Sequence, residues 1–106
     1  MRDLIEATKE WAVVRGLMDN TDVERQALKM VSEVGEFADE ILKGDIQKQM
    51  DECGDVIVTL ILTANKLGFD IEEALRVAYT KIASRTGKVI NGVFVKDVVK
   101  NGGIKA

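Results

Sequence analysis

No proline occurs among these 106 residues. Proline removes a helix hydrogen bond and clashes with the preceding turn, so a chain without it can build long unbroken helices. The punctuation that remains is glycine and short polar residues. Asn20-Thr21-Asp22 offers an N-cap and Gly44 a helix stop, predicting a helix over 23–43. Asp45 and Gly68 frame another over 46–67, and Asp70 opens one over 71–84. Ahead of them Asp3 can cap a helix reaching about residue 17, with Leu4, Ile5, Thr8, Trp11, Ala12 and Arg15 at helical spacing.

The periodicity assigns faces. In the second helix the apolar set is Leu28, Val31, Val34, Ala38, Ile41 and Leu42, and in the fourth Ala74, Leu75, Val77, Ala78 and Ile82 point inward. Residues 56–63, VIVTLILT, have strand propensity, but no turn signal separates them from the helical patterns on either side. Read as helix, this segment is apolar all round. That predicts a third helix buried on every side at the centre of a bundle. Gly87, Gly92, Gly102 and Gly103 break the pattern near the end, and residues 89–95 read as a short hairpin within a tail carrying Lys88, Lys96, Lys100 and Lys105. The expected fold is all-α and four-helix bundle-like: a helical domain over 1–87, then an irregular C-terminal tail over 88–106.

Two absences narrow the chemistry. With no histidine, Ser-His-Asp triads, Cys-His pairs and histidine-ligated zinc are excluded. General bases are then a carboxylate, a lysine or a metal-activated water. The single Cys53 allows no internal disulfide and fits a reducing cytoplasm as an inert buried thiol. A net charge of −3 without a basic run argues against nucleic-acid binding. The charged MRDLIEATKE start shows no signal peptide, and the apolar stretch 56–64 is too short to span a bilayer. A cytoplasmic protein is expected.

One acidic pattern occurs twice. Glu33-Val-Gly-Glu36 and Glu52-Cys-Gly-Asp55 are separated by fifteen residues, and each puts two carboxylates on one helix face. Two such helices side by side bring four like charges together, an arrangement a cation resolves. An oxygen-only set suits magnesium or manganese. The bland alternative is a solvated acidic stripe, and the second helix offers no obvious cation to pair with it beyond the flanking Lys29 and Lys43. Gly35 and Gly54 stand at the same place in each pair and predict a close helix–helix approach there.

This paired motif resembles the E-x-x-E…E-x-x-D signature of the MazG-like all-α nucleoside triphosphate pyrophosphohydrolases. The likeness runs from Trp11 through both acidic helices to Lys81-Ile-Ala-Ser-Arg85 and Gly92-Val-Phe-Val-Lys96. Where many relatives have a doubled glutamate, this chain has Ser32 before Glu33 and Asp51 before Glu52. The resemblance implies hydrolysis of a (deoxy)nucleoside triphosphate to monophosphate and pyrophosphate, with Glu33, Glu36, Glu52 and Asp55 holding magnesium. It implies a glutamate that orients or deprotonates water; Glu36 is the candidate, although the sequence does not choose among the four.

Lys81 and Arg85, with Lys96, then read either as a triphosphate clamp or as a solvated basic helix end. Trp11 reads either as a stacking platform or as core, and Asn65 as a sugar or phosphate contact or a helix-end polar group; Met18 and Met30 read as core. Relatives assemble as homodimers or homotetramers, and the apolar third helix fits such an interface. Two other functions are compatible with the same residues: a non-catalytic metal-binding helical oligomer or nucleotide sensor, and a phosphoribosyl-ATP pyrophosphohydrolase, which the glycine- and lysine-bearing tail fits poorly.

Overall fold

A computed structural model describes residues 1–97. The tail residues Lys100, Gly102, Gly103 and Lys105 lie outside the described residues. The fold is all-α with one small hairpin: α1 (Arg2–Val14), α2 (Val23–Lys43), α3 (Ile46–Leu67), α4 (Ile71–Ala83), β1 (Gly87–Ile90) and β2 (Val93–Lys96). Two compact units divide the chain, Met1–Glu72 and a second from Glu73 onward. No helix among the described residues is long and apolar enough to cross a membrane.

Local signals set the two long helices. The Asp22 carboxylate accepts from Arg25 N at 2.8 Å, and α2 stops at Gly44 with φ 79°. Asp45 accepts from Gln47 N and Lys48 N at 3.0 and 3.3 Å, and α3 ends at Gly68 with φ 90°. Each cap satisfies backbone groups that the helix itself leaves unpaired. The stretch 56–63 is helical throughout. At the N-terminus the expectation needs correction. Met1 occupies the cap with no side-chain bond, and Asp3 sits in the first turn, where its charge still suits the helix dipole. That helix also ends at Val14, earlier than its apolar spacing suggests. The chain leaves it through Gly16 at φ 77°, with Leu17 N bonded back to Ala12 O at 2.9 Å.

In the first unit α2 packs along α3, and α1 packs on α3. Ile5, Ala12, Ile61, Leu62 and Ala64 form the small core. The turn from α1 to α2 is tied to the end of α3: Lys66 Nζ donates to Met18 O at 3.0 Å and also to Thr21 O. Asp70 anchors α1, accepting from Arg2 Nη1 at 2.6 Å and Lys9 Nζ at 3.1 Å.

Burial departs from the periodicity in a consistent way. Leu28, Val31, Val34, Ile41 and Leu42 are all exposed, while Gln26 and Glu33 are the buried residues of α2. The side of α2 that bears Gln26, Met30, Glu33 and Phe37 is the covered one, and the stripe of Leu28, Val31, Val34, Ile41 and Leu42 faces outward. Helix α3 is not covered on every side either: Ile46, Met50, Ile57 and Leu60 stay exposed. None of α4 is buried, including Leu75, Val77 and Ile82. Trp11 is 49 % exposed rather than core, and Met18, Met30 and Cys53 are only half-buried. A side-chain pattern states that a face prefers burial, but a short chain has too few elements to cover every such face.

In the second unit β1 and β2 pair antiparallel, Gly87 opposite Lys96 and Ile90 opposite Val93. Asn91 and Gly92 turn the chain at φ 51° and 78°, the left-handed pair that a two-residue hairpin requires.

Candidate functional site

Because α2 turns the side bearing Glu33 toward α3, three of the four motif carboxylates come together where these helices touch. One carboxylate oxygen from each of Glu33, Glu36 and Glu52 lies within 4.8 Å of the other two. Glu33 is 6 % exposed, Glu52 half-buried and Glu36 open to solvent. Asp55, one turn beyond Glu52, stands outside this group and lines a cleft between α1 and α3.

The charges are only partly balanced. Lys29 Nζ sits 2.9 Å from Glu33 Oε1, so α2 does supply a cation to its own acidic face. The i, i+4 spacing of Lys29 and Glu33 was the available signal. The lysine holds the Glu33 carboxyl below its ordinary range. Among the described residues Glu52 has no such partner. Burial, then the charge of Glu36 and the contact with Glu33, push it up to about 7. Asp55 is raised as well, by burial first and then by the Glu33 charge.

Buried oxygens without partners mark what the cluster lacks. Glu33 Oε2 and Glu52 Oε2 are shielded from solvent and accept no hydrogen bond. The same holds for Glu40 Oε2, one turn after Glu36, even though Lys43 Nζ approaches its other oxygen at 3.5 Å. Glu40 stands at i+4 from Glu36, which puts it on the same acidic face of α2. Orphaned acceptors of this kind are costly. An all-oxygen set with unused lone pairs fits a hard divalent cation, which prefers such ligands.

The paired glycines behave differently from expectation. A Cβ added at Gly35 or at Gly54 would meet nothing within 4 Å. Neither glycine is needed for the contact between α2 and α3, because both lie on exposed parts of their helices.

Beside Asp55 the cleft holds about 410 Å³ and is walled by Leu4, Ala7, Thr8, Trp11 and Val58. The Thr8 hydroxyl donates to Leu4 O at 2.7 Å, so this wall is largely apolar. Asn65 lies elsewhere, ten residues and roughly 15 Å farther along α3, with its amide 3.2 Å from Met18 Sδ. Lys81, Arg85 and Lys96 belong to the second unit, Lys81 in the last turn of α4, Arg85 just after it and Lys96 at the end of β2.

Comparison with known families returns the MazG nucleotide pyrophosphohydrolase domain, matched over residues 22–90. The chain belongs to this MazG family. The matched span carries α2, α3, α4 and β1 with all four carboxylates, whereas Trp11 and Lys96 fall outside it. Neither the curated proteins nor the solved structures contain a significant match. MazG membership points to nucleotide pyrophosphohydrolase activity and to metal dependence, and the acidic cluster could hold the ion.

Proposed function

We infer that this MazG protein hydrolyses a (deoxy)nucleoside triphosphate to the monophosphate and pyrophosphate. The observation that carries the reading is the convergence of Glu33, Glu36 and Glu52 with two buried, partnerless oxygens, in a chain of this family. Glu33, Glu36 and Glu52, with Asp55 beside them, would hold magnesium or manganese. The ion supplies positive charge against the phosphate oxygens and lowers the pKa of water.

The chain's own groups do the rest. Glu36 is the solvent-open member of the cluster, so it can reach water and accept its proton while Glu33 and Glu52 stay fixed by burial. The water oxygen bonds to the α-phosphorus, the bond from that phosphorus to the bridging oxygen breaks, and pyrophosphate leaves. Trp11 and the apolar wall around it offer a stacking surface for the base next to Asp55. Lys81, Arg85 and Lys96, in the second unit, are the cations that the family resemblance assigns to phosphate binding. Asn65, held against Met18, is left a structural role.

The test is pyrophosphate release from a panel of ribo- and deoxyribonucleoside triphosphates, with magnesium and with chelator, for the native protein and Glu36→Gln. Release that needs the metal and is lost in a folded Glu36→Gln protein is expected. Folded, metal-loaded protein that releases no pyrophosphate from any triphosphate would overturn the reading and leave a metal-binding or nucleotide-sensing bundle.

A further inference from the structure

Lys29 is held differently from Lys9 and Lys66. Lys9 is 18 % exposed and sits 3.1 Å from Asp70 Oδ1, and Lys66 is spent on two backbone carbonyls. The Lys29 side chain is 62 % exposed, and the Glu33 carboxylate that it meets at 2.9 Å is 8 % exposed. Its tip is fixed while most of its stem stands in solvent.

That contact puts a cation at the acidic cluster, but one of single charge. Lys29 takes Oε1 of Glu33, while Oε2 of the same carboxylate stays buried and unpartnered, as does Glu52 Oε2. The bond with Glu33 holds the ammonium above its ordinary range, and the charges of Glu36 and Asp55 draw on it as well. Lys29 therefore lies in the field of both acidic pairs and satisfies only part of it.

A divalent ion entering among Glu33, Glu36 and Glu52 meets this ammonium at the same carboxylate. Two cations that close repel, and the ion brings twice the charge to the cluster. A pair made by one mostly exposed lysine is weak, so the lysine is the partner that yields. Lys29 stands one turn of α2 before Glu33, so its ammonium stays beside the cluster once freed. Lys81, Arg85 and Lys96 all belong to the second unit, whereas Lys29 shares a helix with Glu33 and Glu36.

We propose that Lys29 is an exchangeable counter-ion: it holds Glu33 in metal-free protein, yields that carboxylate to a divalent cation, and gives its freed ammonium to the substrate phosphates. An ammonium on a flexible stem is a mobile point charge, which suits the move from carboxylate to phosphate. The last step rests on the hydrolysis proposed above. The exchange at Glu33 does not.

Manganese binding to chelator-stripped protein, read by the electron spin resonance of the free ion, is measured for native protein and Lys29→Met. The variant is expected to bind the ion about tenfold more tightly, because nothing has to be displaced. Calorimetry with α,β-methylene nucleoside triphosphates in saturating magnesium is expected to show binding about tenfold weaker in the same variant. A merely structural lysine would weaken both. Manganese binding no tighter than native, or analogue binding as tight as native, overturns the proposal.

Should Lys29→Met fail to fold, native protein decides. Acylation of Lys29, followed by mass spectrometry, should speed up several-fold when magnesium is added without nucleotide. An unchanged rate leaves the lysine on Glu33 and overturns the exchange. Native protein that takes up manganese but no analogue refutes the phosphate role and the hydrolysis together, while the manganese titration still decides the exchange.

Discussion

Glu33 and Glu52 meet across the contact of α2 with α3 and hold their protons with opposite strength. Lys29 keeps the first ionised, while burial and the neighbouring charges of Glu36 and Glu33 raise the second to about 7. In metal-free protein near neutrality, Glu52 therefore shares its site with a proton that a cation would displace.

Glu52→Gln should stabilise the metal-free protein and weaken its response to magnesium. The folded-state value of Glu52 lies above its ordinary 4.5, so its contribution is fully favourable below about 4.5 and is lost as pH rises through about 7. The gain from Gln should accordingly grow across that window. Thermal unfolding in chelator at several pH values checks it; a variant no more stable than native at the upper end contradicts the assigned environment. Added magnesium should raise the native midpoint more than that of the variant.

Asp70→Asn should destabilise the first unit at neutral pH and matter little in acid. Its carboxyl is held below the usual 3.8 chiefly by the bond from Arg2, with Lys9 assisting. A depressed carboxylate stabilises above its unfolded value, and that contribution disappears as pH falls through the lower folded value. Native and variant unfolding midpoints should differ near neutrality and converge in acid, once pH has fallen through the lowered folded value. Equal midpoints at neutral pH would mean the ion pairs contribute nothing.

Lys66→Ala should cost about 1–3 kcal/mol, because it removes charged donors from the carbonyls of Met18 and Thr21. Urea titration gives the stability change, and hydrogen exchange should show faster opening around residues 17–22. An unchanged midpoint would show that water replaces the ammonium without loss.

Trp11→Ala should raise KM for the triphosphate roughly 5- to 100-fold, the equivalent of losing one base-stacking contact, with kcat and magnesium binding little altered. Trp11 is the sole tryptophan and is half exposed, so nucleotide should also change the native fluorescence. A KM within error of native would remove Trp11 from the nucleotide site.

Short-range signals along the chain place the ends of the long helices and group the carboxylates of the acidic motif. Asp22, Gly44, Asp45 and Gly68 act within one turn of their own positions, so their meaning survives without knowledge of the fold. The i, i+3 spacing of Glu33 with Glu36 is equally local, and so is the Asn91-Gly92 turn. Which face each helix turns inward was decided only by the tertiary structure. Leu28, Val31 and Leu42 announce a preference for burial, yet the side of α2 that meets α3 is the one bearing Gln26 and Glu33. Apolar periodicity sums over every surface a helix will ever contact, those of other molecules included, and cannot assign each stripe to its partner. For the same reason Gly35 and Gly54 suggest an internal contact, although among the described residues nothing lies within 4 Å of a Cβ added at either. Local chemistry wrote the boundaries and the acidic motif; the packing of one helix on another chose its inside.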